Sequence, residues 1–556
     1  MTEQTTHTGT AIDRLSMLVG ARQSAPDYFA PFLDSDDEVL KVGAWCVLLD
    51  RQELRPDQLP QLVELSKYAA IRTRAFALLQ AVWEHTLAAE VANTELVASE
   101  DGAERLVMDA TIRGAEPVFT IEALRQFFLA TGRTDALRKI VRSVEEQSGW
   151  AEALPAAVNG VLLAPHDPLV AGELFMLIFQ ARRADLLEAA LEHFSASNLH
   201  LPLQRLFAAG LLQVKDDHAG ALREVELYLR QPVARADISA IAQPTAIGIK
   251  AESLDKLRRY EDAYVAYVAL NAFGQNQSSL DAYPKAVLTF AQLPAVELPP
   301  DPWAANHFDM LGFPRSGTTL LENALAAHPR IETFEEVPSM TAVRSYLSSM
   351  LPANASPELT RDALIEARER YYTELKMARR KTEVDIFVDK LPIRSSEAQF
   401  LVKLFPDKRY IFSIRHPFDV VLSAFKQNFA PNFAMEHFRR MDTAIKLYDF
   451  TMTQWFSVFS MDDPRVHYVR YDTLVTDFEP TIRGALAFLG AKWDASVLDF
   501  ATAAQTRAAR TPSYQKVRQG LGIGVQSSWR NYDFLFKGPE AKPLHKWAEF
   551  FGYETN

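Results

Sequence analysis

A chain of 556 residues is longer than one hydrophobic core supports, so two or more domains are expected. Its composition, 48% apolar and 23% charged, is that of an ordinary globular protein. The balance of 71 acidic against 59 basic residues, net −12, excludes a general nucleic-acid binder while leaving room for a local basic pocket. Cys46 is the only cysteine, which excludes an intrachain disulfide and suits a reducing compartment.

Residues Met1–Leu15 lack a basic stretch followed by an apolar core, and no run of about 18 uncharged apolar residues occurs. The expectation is a soluble, cytoplasmic protein. From about Ala11 to Phe290, Ala, Leu, Glu and Arg dominate, and apolar residues recur at helical spacing, as in Glu38–Leu49 and Ile121–Leu129. Polar breaks such as Thr131–Asp135 and Lys215–His218 divide these pieces, which predicts stacked helical hairpins. The segment Thr245–Phe273 resembles a tetratricopeptide repeat (TPR). Tyr260, Ala263 and Tyr267 fall where that repeat places its turn aromatic, the small residue between paired helices and its packing aromatic. Upstream, Gly132–Ala136 and His218–Ala221 begin similar second helices, but at distances that depart from the repeat's period of about 34 residues. The region is therefore an irregular TPR-like array or, alternatively, a non-repetitive helical domain.

Gln292–Trp303 is rich in proline, which fixes φ and removes the donor a helix needs, so an extended linker is expected. Beyond it, strands predicted at Asp309–Gly312, Asp385–Val388, Arg409–Ile414 and Val466–Arg470 alternate with helices, the pattern of a parallel sheet. The expected organisation is a helical-repeat domain over 1–290, a linker over 291–304 and a P-loop-like parallel-sheet α/β domain over 305–556. Ligands of such sheets bind at the carboxyl ends of the strands, and Arg315, Lys390, Arg415 and Tyr471 all lie just past an expected strand end.

The first strand runs into the turn Phe313–Gly317 and then a helix from Thr318. Strand, turn and helix N-terminus make an anion site. The frame Gly312-x-x-x-x-Gly317-Thr318-Thr319 is nearly that of a P-loop, with Thr318 where the lysine would stand. Without the lysine that reaches the β/γ-phosphates, the frame argues for a phosphate ligand other than ATP or GTP. Arg315 supplies a cation inside the turn.

Taken together, residues from about 308 to 535 resemble sulfotransferases that depend on 3′-phosphoadenosine 5′-phosphosulfate (PAPS). Pro314-Arg315-Ser316-Gly317-Thr318-Thr319 followed by the pair Glu335-Glu336 is similar to tyrosylprotein sulfotransferases and to bacterial sulfotransferases fused to TPRs. The resemblance implies that Arg315 and the segment Ser316, Gly317, Thr318 and Thr319 hold the 5′-phosphate. It implies Arg415 and Ser423 for the 3′-phosphate, with a helix near Pro417 returning Ser423 to the strand end. Tyr471 is implied as a nucleotide contact. His416 stands where Asn or Asp is more usual and is expected to be tolerated variation.

The resemblance further implies Glu336 as the base, with Glu335 the close alternative, and Lys390 as the cation that stabilises the leaving group. The stretch Val388–Ile393 has no His of the kind small-molecule sulfotransferases use. Ser513, with Val517 four residues on, matches a serine near the transferring group. Ser528-Trp529-Arg530 resembles the closing basic-Trp segment, with Ser528 replacing its basic residue and Arg530 or Lys516 compensating.

The implied reaction is metal-free in-line transfer of a sulfuryl group from PAPS to a hydroxyl. The acceptor would be a small molecule, a lipid or glycan precursor, or a peptide tyrosine. The helical array would bind a protein partner or mediate dimerisation. Two rivals stay open: a nucleotide-kinase-like phosphotransferase, against which Thr318 speaks, and a TPR-type adaptor with an inactive transferase domain.

Overall fold

The structure is a computed structural model. It describes residues 29–33, 35–51, 61–65, 134, 138, 141, 142, 145, 150–197, 201–230, 236–273, 280–350, 360–499 (except 380, 382, 428, 430 and 431) and 527–555. The expected helix at Ile121–Leu129 and the loop carrying Ser513, Lys516 and Val517 lie outside these residues. The chain divides into two compact units, Met1–Ile249 and Lys250–Asn556. Among the described residues no helix is long and apolar enough to cross a membrane.

The described part of the first unit is helical, with Trp150–Leu163, Pro168–Gln180, Ala184–Ala196, Leu201–Val214 and His218–Leu229 in succession. Asp167 and Asp217 cap two of these helices, accepting the N–H of Leu169 and of Gly220 at 2.8 Å. One turn recurs. Arg182, Asp216 and Arg258 have φ of 52°, 61° and 60°, each two residues before the next helix. The residue after each donates its N–H to the carbonyl five positions back: Arg183 to Ile178, Asp217 to Leu212 and Arg259 to Leu254. This is the left-handed closure that ends a helix and turns the chain back on itself. The first two turns lie 34 residues apart (216 − 182) and the next two 42 apart (258 − 216). The second interval holds the longer helix Ala236–Lys256, of 21 residues.

The helix Tyr260–Asn271 groups with the sheet. Asn271 Nδ2 donates to the Phe425 carbonyl at 2.8 Å, Tyr264 packs on Phe425, and Tyr283 OH meets Ser396 Oγ at 2.7 Å. The division at Ile249/Lys250 thus falls before the boundary expected at 290. The physical reason is that proline content reports local conformation, not independence. Residues 294–300 belong to no helix or strand, yet Arg368 Nη1 donates to the Pro299 carbonyl at 3.0 Å.

Five parallel strands form the sheet: β1 (His307–Gly312), β2 (Ile331–Glu335), β3 (Ile386–Lys390), β4 (Arg409–Ile414) and β5 (Val466–Arg470), in the order β2-β3-β1-β4-β5. The edge strand β2 was not among the expected strands. On one face Phe308, Met310, Val388, Ile411 and Val469 pack with Leu321, Leu325, Ile482 and Leu486. These come from the helices Thr318–Ala326 and Phe478–Leu489.

The opposite face carries buried charge. Asp309 and Asp389, paired in register, meet Lys408 at 2.7 Å and Arg394 at 2.6 Å, with Tyr371 OH 2.8 Å from both carboxylates. Ser339 Oγ donates to Asp389 at 3.1 Å. Burying ions without partners is costly, and here each has a partner of opposite sign. The network fixes the start of the helix Ser339–Met350 to the residue before Lys390.

Candidate active site

The chain leaves β1 toward β2 on one side of the sheet and leaves β4 toward β5 on the other. The carboxyl ends of β1 and β4 therefore flank the switch point where an open α/β sheet leaves a crevice. The turn after β1 needs unusual backbone. Gly312 has φ 149°, and a Cβ there would meet the Ser413 carbonyl at 2.7 Å. Gly317 has φ 100°, and a Cβ there would meet Tyr471 Cδ2 at 2.3 Å. Glycine is the residue that tolerates both demands. Arg315 also adopts a positive φ, 74°, where a side chain costs energy. Gly317 caps the helix Thr318–Ala326, whose first amides face the turn.

Three residues distant in sequence converge on this turn. Arg315 Nε donates to Ser423 Oγ at 3.1 Å. Ser423 lies in the helix Pro417–Phe425, with Pro417 in its first turn. Arg415, just past β4, donates through Nη1 to the Arg315 carbonyl at 3.1 Å, and its guanidinium lies 4.6 Å from the centre of the Tyr471 ring. Burial and the like charge of Arg415 hold the Arg315 guanidinium down at about 10. Ser316 Oγ is buried without a hydrogen-bond partner among the described residues. Ser316 and Arg415 line a small cavity with Phe313, Tyr448, Met452 and Phe551.

A second group lies at the ends of β2 and β3. Lys390 ends β3, is 1% exposed, and meets Glu322 at 3.2 Å, Glu335 at 3.3 Å and Glu336 at 3.5 Å. Burial opposes the ammonium's charge, but the three carboxylates outweigh it and push its pKa above the ordinary lysine range. Glu335, opposite Lys390 in register, is 11% exposed, and burial raises its carboxyl above the usual range. Glu336 is 39% exposed, has φ 51°, and donates its N–H to the Lys390 carbonyl at 2.9 Å.

His416 caps the helix Pro417–Phe425, accepting the Phe418 N–H at 3.2 Å through Nδ1 while Nε2 donates to the Glu554 carbonyl at 2.8 Å. Burial lowers its pKa, and its ring stacks on Trp529. Arg530 lies against Trp529 and pairs with exposed Glu554 at 3.2 Å. Ser528, where a basic residue was expected, donates to Asp419 Oδ1 at 2.8 Å, and the amides of Ser527 and Trp529 donate to the same carboxylate. This segment is thus anchored through Asp419.

Two residues of this architecture escape sequence reading. Glu322 reads as an ordinary helix position, although an acid inside the run Leu320-Leu321-Glu322-Asn323-Ala324-Leu325 is a signal for burial beside a cation. Asp419 carries no signal beyond its place in a first helical turn.

Residues 310–495 match the model of the sulfotransferase family, so the chain carries a sulfotransferase-family domain. An uncharacterised protein of Aquifex aeolicus (strain VF5) is 27% identical over 236 residues, 40% of this chain and 30% of that protein. The chain thus spans under a third of that relative's length. Among solved structures, the sulfotransferase domain of the Synechococcus PCC 7002 olefin synthase is 18% identical. It covers 47% of this chain and 99% of its own, with a TM-score of 0.35. A sulfotransferase from Mycobacterium avium is 12% identical, covering 61% and 97%, with a TM-score of 0.29.

Proposed function

We propose that the sulfotransferase-family domain transfers a sulfuryl group from PAPS to a hydroxyl acceptor. The observation that carries this reading is the convergence of Arg315, Arg415, Ser423 and Tyr471 on a phosphate turn at the switch point. Two phosphates on one nucleotide need two anion sites close together. The turn amides with Arg315 suit the 5′-phosphate, and Arg415 with Ser423 suits the 3′-phosphate. The unpartnered Ser316 Oγ supplies a further donor.

Glu336, the more exposed of the pair, takes the proton of the acceptor hydroxyl. The acceptor oxygen bonds to sulfur as the bond from sulfur to the 5′-phosphate oxygen breaks. The electron pair leaves with 3′,5′-ADP, toward Lys390, the turn amides and Ser513. Arg530 would act from the closing segment. No metal is required in this scheme. The acceptor is a small molecule, a lipid or glycan precursor, or a peptide tyrosine. The helical array is read as TPR-like on the strength of its recurring turn, and as the surface for a protein partner or a second copy.

The test is transfer of labelled sulfate from PAPS to a cell extract, with and without a chelator, alongside calorimetry with 3′,5′-ADP. Expected are transfer that survives chelation and saturable nucleotide binding. Binding without transfer would favour the adaptor, and magnesium-dependent transfer of a γ-phosphate the kinase-like enzyme.

A further inference from the structure

We propose that Glu322 is the positioning residue of Lys390, a permanent counter-ion that holds the ammonium at the strand edge while Glu335 and Glu336 change protonation and partners. The inference rests on the sulfuryl-transfer reading. Among the described residues, the charged groups facing Lys390 are Glu322 from the helix after the turn and Glu335 and Glu336 from the end of β2; from β1 the neighbour in register is uncharged Met310.

Three features set Glu322 apart. It is the nearest of the three carboxylates, at 3.2 Å. Its side chain is 0% exposed, against 11% for Glu335 and 39% for Glu336, so an acceptor from solvent does not reach it. Its other oxygen accepts from Thr333 Oγ1 at 3.2 Å, which locks the carboxylate between helix and β2. The same helix begins at Gly317, so the element that presents amides to the donor also fixes the cation.

The chemistry calls for such a residue. A carboxylate that accepts the acceptor's proton loses its charge and with it much of its hold on Lys390. A buried ammonium left without a counter-ion tends to shed its proton, and neutral lysine would not stabilise the leaving group. Glu322, shielded from the acceptor, keeps the lysine charged through that step.

The test uses the full chain carrying Glu322→Gln and, as a milder variant, Thr333→Val. With Glu322→Gln, kcat should fall about tenfold or more while 3′,5′-ADP affinity stays within about threefold. The alkaline limb of the kcat profile should move to lower pH, with Thr333→Val shifting it in the same direction but less. A second readout is independent of turnover. Lys390 is raised, so its stabilisation is complete below the unfolded lysine pKa and is lost as pH rises through the folded value. Neutralising Glu322 lowers the folded value and leaves the variant less of this stabilisation to lose, so the Tm gap to wild type should be widest below the unfolded lysine pKa and narrow as pH rises above it. A merely structural role would give the same gap at every pH, and that result, with an unmoved kcat limb, would overturn the proposal. If wild type transfers no sulfuryl group yet the gap narrows as pH rises, the sulfuryl-transfer reading fails and the counter-ion role stands.

Discussion

Two cations, half-buried Arg315 and buried Lys390, sit at the same edge of one sheet, and their surroundings push them in opposite directions. At the ends of β1 and β4, Arg315 is lowered by burial and by Arg415, a neighbour of like charge. At the end of β3, Lys390 is raised by three carboxylates that outweigh its burial. The first group has excess positive potential that a bound anion would relieve. The second holds its cation in place with its own acids. The proposed sulfuryl transfer calls for both arrangements, an anion site and a held cation beside a base, and the strand order puts them on one rim.

The sharpest way to break this contrast is to remove the exposed acid. Glu336→Ala should reduce turnover by about a hundredfold to ten-thousandfold, the usual worth of a general base, while 3′,5′-ADP still binds. Steady-state kinetics beside calorimetry reads both. Equal loss from Glu335→Ala with full activity in Glu336→Ala would transfer the role to Glu335.

The positive side is tested next. Arg415→Ala removes a charge-assisted donor and the contact to the Arg315 carbonyl. It should weaken 3′,5′-ADP binding about ten- to a hundredfold, with added salt weakening wild type more than the variant. An unchanged dissociation constant would remove Arg415 from the donor site.

A smaller effect is expected at Gly317. A Cβ there must displace the Tyr471 ring and sit at φ 100°, so Gly317→Ala should cost about 1–3 kcal/mol of stability by thermal unfolding. Adding Tyr471→Ala should restore the steric part and leave the backbone part. No recovery in the double variant would mean that strain at φ, not the ring, dominates.

The two groups were legible in the sequence to different depths. The turn and the places of Arg415 and Lys390 just past strand ends could be read from local signals, a glycine frame and the end of an apolar run. Ser423 and the Glu pair came from the family resemblance alone. Glu322 was not assigned: an acid inside its apolar run signals burial beside a cation, but which cation depends on the register of β2 and β3, which no local pattern encodes. The paired Asp309 and Asp389 were hidden likewise. Each is an acid within an apolar strand; Lys408, which makes Asp309 tolerable, lies far along the chain, while Arg394, the partner of Asp389, is only five residues on but in a different element. The packing of the Tyr260–Asn271 helix on Phe425 and Tyr532 is likewise a long-range property that no local pattern encodes.

The least disruptive probe of the acidic group is Glu335→Gln, which keeps shape and removes a charge. Burial raises the Glu335 carboxyl above its ordinary value of 4.5, so the folded protein binds its proton more tightly than the unfolded chain does. That contribution to stability is complete below the unfolded pKa and is lost as pH rises through the folded one. Glutamine has no proton to lose. The Tm values of wild type and variant should therefore lie closest in acid and separate above pH 4.5, with the variant the more stable. The opposite order would mean that attraction to Lys390 outweighs burial at Glu335. Both rim carboxylates would then act as charged partners of the lysine, and the contrast with the phosphate turn would be larger still.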